Sequence, residues 1–179
     1  MGGSGVSGSM LIIVVWILCL CGGGTQAATF TITNNCTYTV WAASFNVTSG
    51  GGWKLNSEGA TKMDVKEGTS GARVWARTNC KFDGAGKGQC ETGDCGGEFY
   101  CKRTGAANTT LAQFSLNQAG NLDYYDISNA AGYNLGMAFS PTNSQCDALS
   151  CPDDANPRNP WNSTRNCPSG SDYHIVFCP

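Results

Sequence analysis

The sequence contains little charge and almost no histidine. Of its 179 residues, 13% are Asp, Glu, Lys or Arg, one is a histidine, and the formal net charge is −2. A basic field that would attract phosphate is therefore missing, which argues against nucleic acid or an anionic membrane surface as a partner. A chain of this length is enough for one domain and too short for two ordinary ones.

The sequence also lacks an apolar run long enough to cross a membrane. Residues 10–21 form an unbroken apolar run of 12 residues. A membrane-spanning helix needs roughly 20. We interpret residues 1–27 as a secretory signal peptide that ends at Thr25-Gln26-Ala27, with a short membrane anchor as the alternative. After cleavage, residues 28–179 would form an extracellular protein with no membrane attachment.

No long window of the remaining chain keeps the 3.6-residue period of an amphipathic helix. Short segments with strand-like alternation are frequent instead, namely 29–33, 37–42, 72–77, 111–116, 122–127, 133–139 and 173–177. Glycine-rich clusters at 49–52 and 83–86 are typical of turns, and residues 152–160 of a loop. Many short strands cut by turns predict an all-β fold, a sandwich of antiparallel sheets.

Cysteine is abundant where charge is scarce. Removing the signal peptide leaves nine cysteines, at positions 36, 80, 90, 95, 101, 146, 151, 167 and 178. In an exported chain this density predicts disulfides rather than zinc binding, and we expect no metal and no cofactor. Sequons at Asn46, Asn108 and Asn162 are candidates for N-glycosylation, in keeping with a secretory route.

Residues 86–101, GKGQCETGDCGGEFYC, form a specific signature. They match the pattern G-x-G-x-C-x-T-G-D-C…C of the thaumatin family, and residues 34–41, 72–80, 122–128 and 177–179 resemble other family segments. The resemblance covers essentially all of residues 28–179. It implies a secreted, pathogenesis-related protein of plant defence, found in the apoplast or cell wall. The short length implies the small form, a disulfide-stapled β-sandwich without most of the second domain.

The resemblance also implies a disulfide pattern. It joins Cys36 to Cys178, Cys80 to Cys90 and Cys95 to Cys101. Small members usually have ten cysteines, so one is missing here. Cys167 can pair with either Cys146 or Cys151, and the sequence does not choose between them. We expect the remaining one to be a buried thiol, with an intermolecular bridge as the alternative.

Larger antifungal relatives carry an acidic cleft of one Arg, one Glu and three Asp, and this chain retains only part of it. The matching positions are Arg73, Gln113 in place of the Glu, Asp126, Ala131 in place of an Asp, and, after the shortened segment, Asp153. Glycosidase chemistry needs one carboxyl as acid and a second as nucleophile or base. Gln113 can serve as neither, so we expect no catalytic residue and a polar groove whose ligand-binding candidates are Arg73, Gln113, Asp126 and Asp153.

Two other features predict ordinary surface rather than a site. Alternation places Arg73, Trp75 and Arg77 on one strand face, where a cation–π stack is plausible but a solvated surface is the default. His174 lies on the terminal strand without a nucleophile-elbow motif, so we expect a surface position.

The leading functional hypothesis is a monomeric, non-catalytic defence protein with an antifungal role. It would bind cell-wall polysaccharide, above all β-1,3-glucan, or a microbial protein. The alternatives are weak endo-β-1,3-glucanase activity and inhibition of microbial glycoside hydrolases such as xylanase.

Overall fold

The described part of the chain folds entirely into β-strands, turns and loops. The computed structural model describes residues 1–3, 27–47, 50–104, 108–151 and 163–179, and within these it contains thirteen strands and no helix. The strands are β1 (Ala27–Asn34), β2 (Val40–Phe45), β3 (Gly51–Leu55), β4 (Ala60–Lys66), β5 (Ala72–Arg77), β6 (Lys81–Phe82), β7 (Gly88–Gln89), β8 (Leu111–Gln118), β9 (Leu122–Ser128), β10 (Met137–Pro141), β11 (Leu149–Cys151), β12 (Arg165–Pro168) and β13 (Tyr173–Phe177).

Two large sheets carry most of these strands. The five-stranded sheet has the order β11-β10-β13-β1-β4, and the six-stranded sheet has the order β12-β9-β8-β5-β2-β3. Strands β6 and β7 form a separate two-stranded hairpin. Neighbouring strands are antiparallel except for β1 and β13, which are parallel. The predicted all-β sandwich is therefore confirmed, with one parallel pair where the two ends of the domain meet.

The core lies between the two sheets and is rich in aromatic rings. Phe30 of β1 stacks on Phe114 of β8 with ring centroids 4.4 Å apart, and on Tyr173 of β13 at 4.8 Å. Phe139 of β10 contacts the same group edge-on. Large rings from both sheets thus interdigitate, and burial of this apolar area is the main force that holds the layers together.

A buried polar contact also joins the layers. The Tyr173 hydroxyl donates to Oδ2 of Asp123 on β9 at 2.8 Å, while Oδ1 accepts from the Ser169 hydroxyl at 2.8 Å and the Asn117 amide at 2.7 Å. Burial and then the neighbouring Asp123 raise the pKa of Tyr173 well above its usual value. Both polar groups are thereby satisfied inside the sandwich, as buried polar groups need to be.

Most strands predicted from alternation are confirmed. Strands β1, β5, β8, β9 and β13 occupy the predicted segments within one or two residues. Strand β2 begins at Val40 rather than at residue 37, and β10 begins at Met137 rather than at residue 133. Strand β4 was not predicted. It lies at a sheet edge and alternates only Met63 and Val65 with exposed charged residues, a pattern that protects an edge but weakens the sequence signal.

The turn predicted at residues 49–52 is wrong in its second half, because Gly51 and Gly52 begin β3. A Cβ on Gly51 would lie 1.8 Å from the Ser44 hydroxyl oxygen, and one on Gly52 would lie 2.1 Å from the Phe99 carbonyl oxygen. The glycines therefore allow close packing of neighbouring segments, a second use of glycine in strands that composition alone does not distinguish from a turn.

Four disulfides staple the sandwich. They join Cys36 to Cys178, Cys80 to Cys90, Cys95 to Cys101, and Cys146 to Cys167. The first three are the pairs that the resemblance implies, and the fourth gives Cys167 its partner. Cys151 is a fully buried thiol, because β11 directs it into the core while Cys146 lies in the preceding loop.

The segment between β5 and β8 lies over the outer face of the six-stranded sheet. Trp75 is fully buried there with Ala43, Leu111 and the Cys95–Cys101 disulfide, and its indole nitrogen donates to the Gly93 carbonyl at 2.8 Å. The expected solvated face of Arg73, Trp75 and Arg77 is therefore wrong for two of its three residues. The alternation was right, but the covering segment comes from elsewhere in the chain.

Arg77 anchors this covering segment. Its guanidinium, fully buried, donates to the carbonyls of Glu98 at 2.8 Å, Phe99 at 2.9 Å and Trp41 at 3.2 Å. It also lies 5.3 Å from the Phe82 ring centroid and 5.8 Å from that of Phe99. Burial lowers the pKa of Arg77 to about 10, although the Asp94 carboxylate opposes this, so the cation persists at neutral pH.

Asp94 fixes the turn that Arg77 holds. Its Oδ1 accepts from the amides of Gly96 at 2.7 Å and Gly97 at 2.9 Å, and its Oδ2 from the amide of Cys90 at 3.0 Å. Burial opposes its ionisation, but these backbone donors and the Arg77 charge outweigh burial and lower the pKa of Asp94. Both glycines have positive φ, so the T-G-D-C-G-G part of the signature is a carboxylate-centred loop.

Several expectations lie outside the described residues: the signal peptide beyond residue 3 and before Ala27, its apolar run at 10–21, and the loop at 152–160. Strand β1 begins at Ala27, the last residue of the expected signal peptide. Among the residues that are described, no helix has the length and apolar character needed to cross a membrane.

Replacing Arg77 should destabilise the fold far more than replacing Arg73 four residues earlier. We expect Arg77→Met to lower the free energy of unfolding by about 2–4 kcal/mol, because buried carbonyls lose their donor. Arg73→Met, on the same strand but half-exposed, should cost less than about 1 kcal/mol. Urea unfolding with the disulfides intact measures both. Equal losses would show that Arg77 does not anchor the segment.

Candidate functional site

Three polar candidates from the sequence lie in one row on the outer face of the six-stranded sheet. Arg73 of β5 is the register partner of Gln113 on β8, and Gln113 is the partner of Asp126 on β9. Because side chains directly opposite on neighbouring strands share a face, the three lie side by side across the sheet. Each is half-buried.

Gln113 links the two charged residues. With its amide oriented to satisfy both neighbours, its nitrogen donates to Oδ1 of Asp126 at 3.2 Å and its oxygen accepts from Nε of Arg73 at 3.0 Å. The second carboxylate oxygen of Asp126 accepts a longer hydrogen bond, 3.4 Å, from the Thr164 hydroxyl. The row is thus a hydrogen-bonded sequence of guanidinium, amide and carboxylate.

The environment makes Asp126 harder to ionise than an ordinary aspartate. Partial burial raises the pKa of Asp126, and the hydrogen bond from Thr164 and the positive charge of Arg73 offset that increase only in part. The carboxylate therefore interacts with Arg73 through the intervening amide, which weakens the direct attraction between the opposite charges.

The row does not provide the pair of carboxyls that glycoside hydrolysis requires. Its central position is an amide, and Ala131, which stands where an acidic residue was expected, lies in the turn after β9 with its backbone carbonyl accepting from the Asn108 amide at 2.6 Å. Asp153, the remaining cleft candidate, lies outside the described residues. Chemically, the described row can donate and accept hydrogen bonds but holds a single ionisable acid.

The other candidates lie apart from the row. His174 is exposed on β13 of the five-stranded sheet, between the register positions Thr31 and Ser140. The side chains of Asn46 and Asn108 are exposed. The Asn46 amide nitrogen donates to the Ser70 carbonyl at 2.6 Å, and Thr110, the hydroxyl position of the Asn108 sequon, is fully buried. Asn162 lies outside the described residues. No cluster of metal-binding side chains occurs among the residues that the structure describes.

Sequence reasoning missed a groove on the other side of β5. It lies between the outer face of β2 and β3 and the covering segment, has a volume of about 680 Å³, and is lined by Trp41, Lys54, residues 80–86 and residues 98–100. One signal was available. Residues 95–101 form a ring of seven residues closed by a disulfide, and two adjacent aromatics, Phe99 and Tyr100, cannot both be buried by so small a loop.

Comparison with known proteins gives a consistent result. The family model described as "Thaumatin family" matches residues 34–165. A curated "Thaumatin-like protein" from Oryza sativa subsp. japonica is 42% identical over 179 residues, covering 98% of this chain and 99% of that protein. Zeamatin from Zea mays is 35% identical over 230 aligned residues, covering 97% of this chain and 100% of that protein.

Solved structures show the same relationship. The thaumatin-like xylanase inhibitor TLXI superposes with a TM-score of 0.69 at 35% identity, covering 84% of this chain and 99% of that chain. The protein elicitor MoHrip2 from Magnaporthe oryzae has a TM-score of 0.56 at 17% identity, covering 86% and 100%. At that identity MoHrip2 shares the fold alone. The likeness to TLXI over nearly its whole length confirms the predicted small, disulfide-stapled sandwich.

The surroundings of Asp126 predict how its pKa responds to substitution. Thr164→Val removes a hydrogen bond to the charged form and Arg73→Gln removes a favourable charge, so each should raise the pKa of Asp126 further. Lys66→Gln, on β4 of the opposite sheet, is the control and should leave it unchanged. Carboxyl-carbon NMR titration measures all three. A downward shift in either test variant would contradict the assigned causes.

Proposed function

Because the chain belongs to the thaumatin family, we propose that it is a secreted defence protein that acts by binding rather than by catalysis. Its target is a cell-wall polysaccharide, β-1,3-glucan in the first place, or a microbial protein. The four disulfides suit an oxidising extracellular location.

The observation that carries this proposal is the position of Gln113 in the row. An acid and a nucleophile or base must flank a glycosidic bond for hydrolysis, and a glutamine amide supplies neither. Gln113 is also engaged on both sides, by Arg73 and by Asp126, so the row has a fixed arrangement. A fixed row of guanidinium, amide and carboxylate offers both donors and acceptors, and hydroxyl groups of a sugar need both.

Insoluble β-1,3-glucan should retain the secreted protein, and the protein should not release soluble sugar from it. We expect retention that persists at high salt and no release of reducing ends, because the row binds hydroxyls through hydrogen bonds but holds a single acid. Gln113→Leu should weaken retention about tenfold, since one side chain then leaves two polar partners unpaired. A sedimentation assay paired with a reducing-sugar assay measures both quantities.

His174→Ala is the matched control for this experiment, because His174 is exposed on the outer face of the opposite sheet. It should bind glucan like the unaltered protein. Sugar release by the unaltered protein would refute the non-catalytic proposal. Release by Gln113→Glu alone would show instead that the amide is what disables an otherwise intact cleft.

Inhibition of a microbial glycoside hydrolase is the second candidate function. The specific observation in its favour is the similarity to a thaumatin-like xylanase inhibitor, 99% of whose chain is matched at 35% identity. A small sandwich of this kind would act as a rigid, preorganised protein partner, which reduces the entropic cost of association.

Titration of a fungal xylanase with the secreted protein tests this candidate. If the chain is an inhibitor, xylan hydrolysis should fall to a plateau at equimolar protein, with a dissociation constant in the submicromolar range. The same protein with its disulfides reduced and alkylated is the control and should not inhibit. Full xylanase activity at micromolar concentrations of the folded protein would argue against the inhibitor reading.

A further inference from the structure

The groove beside the covering segment has two different walls. Trp41 and Lys54 are cross-strand neighbours on the outer face of β2 and β3, and the Lys54 ammonium lies 5.7 Å from the Trp41 ring centroid. The opposite wall is the tip of the β6–β7 hairpin together with residues 98–100. A volume of about 680 Å³ falls within the range of small-molecule sites, roughly 300–1,000 Å³.

Aromatic rings form a continuous series along the second wall. Phe82 meets Phe99 edge-on with centroids 5.3 Å apart, and Phe99 meets Tyr100 in the same way at 5.0 Å. The first two rings are fixed by the buried Arg77 guanidinium. Tyr100 ends the series with 64% of its surface exposed, within the loop that the Cys95–Cys101 disulfide closes. Because the disulfide constrains the loop, the exposed ring of Tyr100 is preorganised for binding a ligand.

The charges of the groove balance. Lys54 and Lys81 supply two cations, and Asp83 and Glu98 supply two anions. Glu98 also forms an ion pair with Lys87, outside the groove. A polyanionic or polycationic ligand would meet as much repulsion as attraction here, whereas a neutral ligand with many hydroxyls would find both donors and acceptors.

A second cavity extends the groove past Trp41. It has a volume of about 630 Å³ and shares Trp41, Cys80 and Lys81 with the first, so the two depressions adjoin at these residues. It adds one carboxylate, Glu91, which accepts a hydrogen bond from the Asn79 amide. Two depressions in series fit an extended chain of several units better than a single small molecule.

We propose that this double groove is a binding site for a neutral oligosaccharide, with Tyr100 and Trp41 as the rings on which sugar rings stack. The C–H faces of a pyranose are apolar and pack against aromatic rings, while the equatorial hydroxyls reach the charged groups at the rim. The site lies across β5 from the row of Arg73, Gln113 and Asp126, and it does not require that row to bind anything.

Calorimetric titration of the secreted, disulfide-intact protein with laminarihexaose, cellohexaose and xylohexaose tests the proposal. We expect at least one of these to bind, with an affinity that changes less than about twofold between low and high salt, because the ligand is uncharged. Tyr100→Ala should weaken that binding about tenfold, since it removes one stacking ring. Tyr100→Phe keeps the ring and should bind within about twofold of the unaltered protein.

Tyr38→Ala is the matched control. Tyr38 is also an exposed tyrosine, 47% exposed, but it lines a different depression beside the Cys36–Cys178 disulfide. It should leave the affinity unchanged. Failure of all three oligosaccharides to bind overturns the proposal, as does an equal loss in Tyr38→Ala and Tyr100→Ala. If none binds and Tyr100→Ala instead abolishes inhibition of a fungal xylanase, the groove is a protein-binding surface and the oligosaccharide proposal is wrong.

The outcome is separable from that of the proposed function. Retention on insoluble β-1,3-glucan that is lost in Gln113→Leu but kept in Tyr100→Ala would support glucan binding by the row. The groove proposal would then be decided by the calorimetric titration with soluble oligosaccharides. Binding of a soluble oligosaccharide that depends on Tyr100, without any retention that depends on Gln113, would support the groove and count against the row.

Discussion

The burial of one cation, the Arg77 guanidinium, determines how the outer face of the six-stranded sheet is divided. Removing a charge from water costs several kcal/mol, and the cost is met only when donors and rings surround the ion closely. Here the carbonyls of Trp41, Glu98 and Phe99 and two aromatic rings do so. The segment that provides Glu98 and Phe99 is thereby fixed to the sheet. Three residues separate this covered end of β5, at Arg77, from the open end at Arg73.

That division creates the two surfaces on which the functional proposals rest. At the open end, Arg73 faces Gln113 and Asp126 across the sheet, and no part of the covering segment is bonded to this row in the described structure. At the closed end, the edge of the covering segment forms one wall of the aromatic groove, with Tyr100 at its rim. The contact of Arg77 with the covering segment thus lies between a polar surface on one side of β5 and an aromatic surface on the other.

Alternation in the sequence was enough to predict the sandwich, and the family resemblance was what grouped Arg73, Gln113 and Asp126 in one groove. Alternation was not enough to predict which outward residues are covered. Arginine and tryptophan at alternate positions normally indicate an exposed face, because arginine is seldom fully buried without partners. The partners of Arg77 are the backbone carbonyls of Trp41, Glu98 and Phe99, all more than 20 residues away in the sequence. Every residue has a backbone carbonyl, so the sequence does not indicate which carbonyls will accept hydrogen bonds from Arg77.

The cysteines show the same limit. The family resemblance implied three of the disulfide pairs. It did not show whether Cys146 or Cys151 pairs with Cys167. What separates them is direction, since Cys151 faces the core from β11 opposite Met137, while Cys146 lies in the loop before that strand. Likewise Gly51 and Gly52 have the composition of a turn, and only the approach of Ser44 and Phe99 explains why they lie in a strand. The direction of a side chain and the close approach of neighbouring segments are set by the packing of the folded chain, so residue types alone do not predict them.

A glutamine at position 113 changes what the row of Arg73, Gln113 and Asp126 can do chemically. A glutamate at position 113 would place a second carboxyl beside Asp126, whose pKa burial already raises. Like charges at that distance oppose joint ionisation, so the second carboxyl would raise the pKa of Asp126 further, and a raised pKa is what a general acid requires. Glutamine removes the repulsion and fills the same space. Its amide donates to the carboxylate and accepts from the guanidinium, and this fixes the three side chains in one arrangement. With glutamine at position 113 the row keeps hydrogen-bond donors and acceptors but holds a single ionisable acid, and this is the physical basis for proposing that it binds rather than transfers protons.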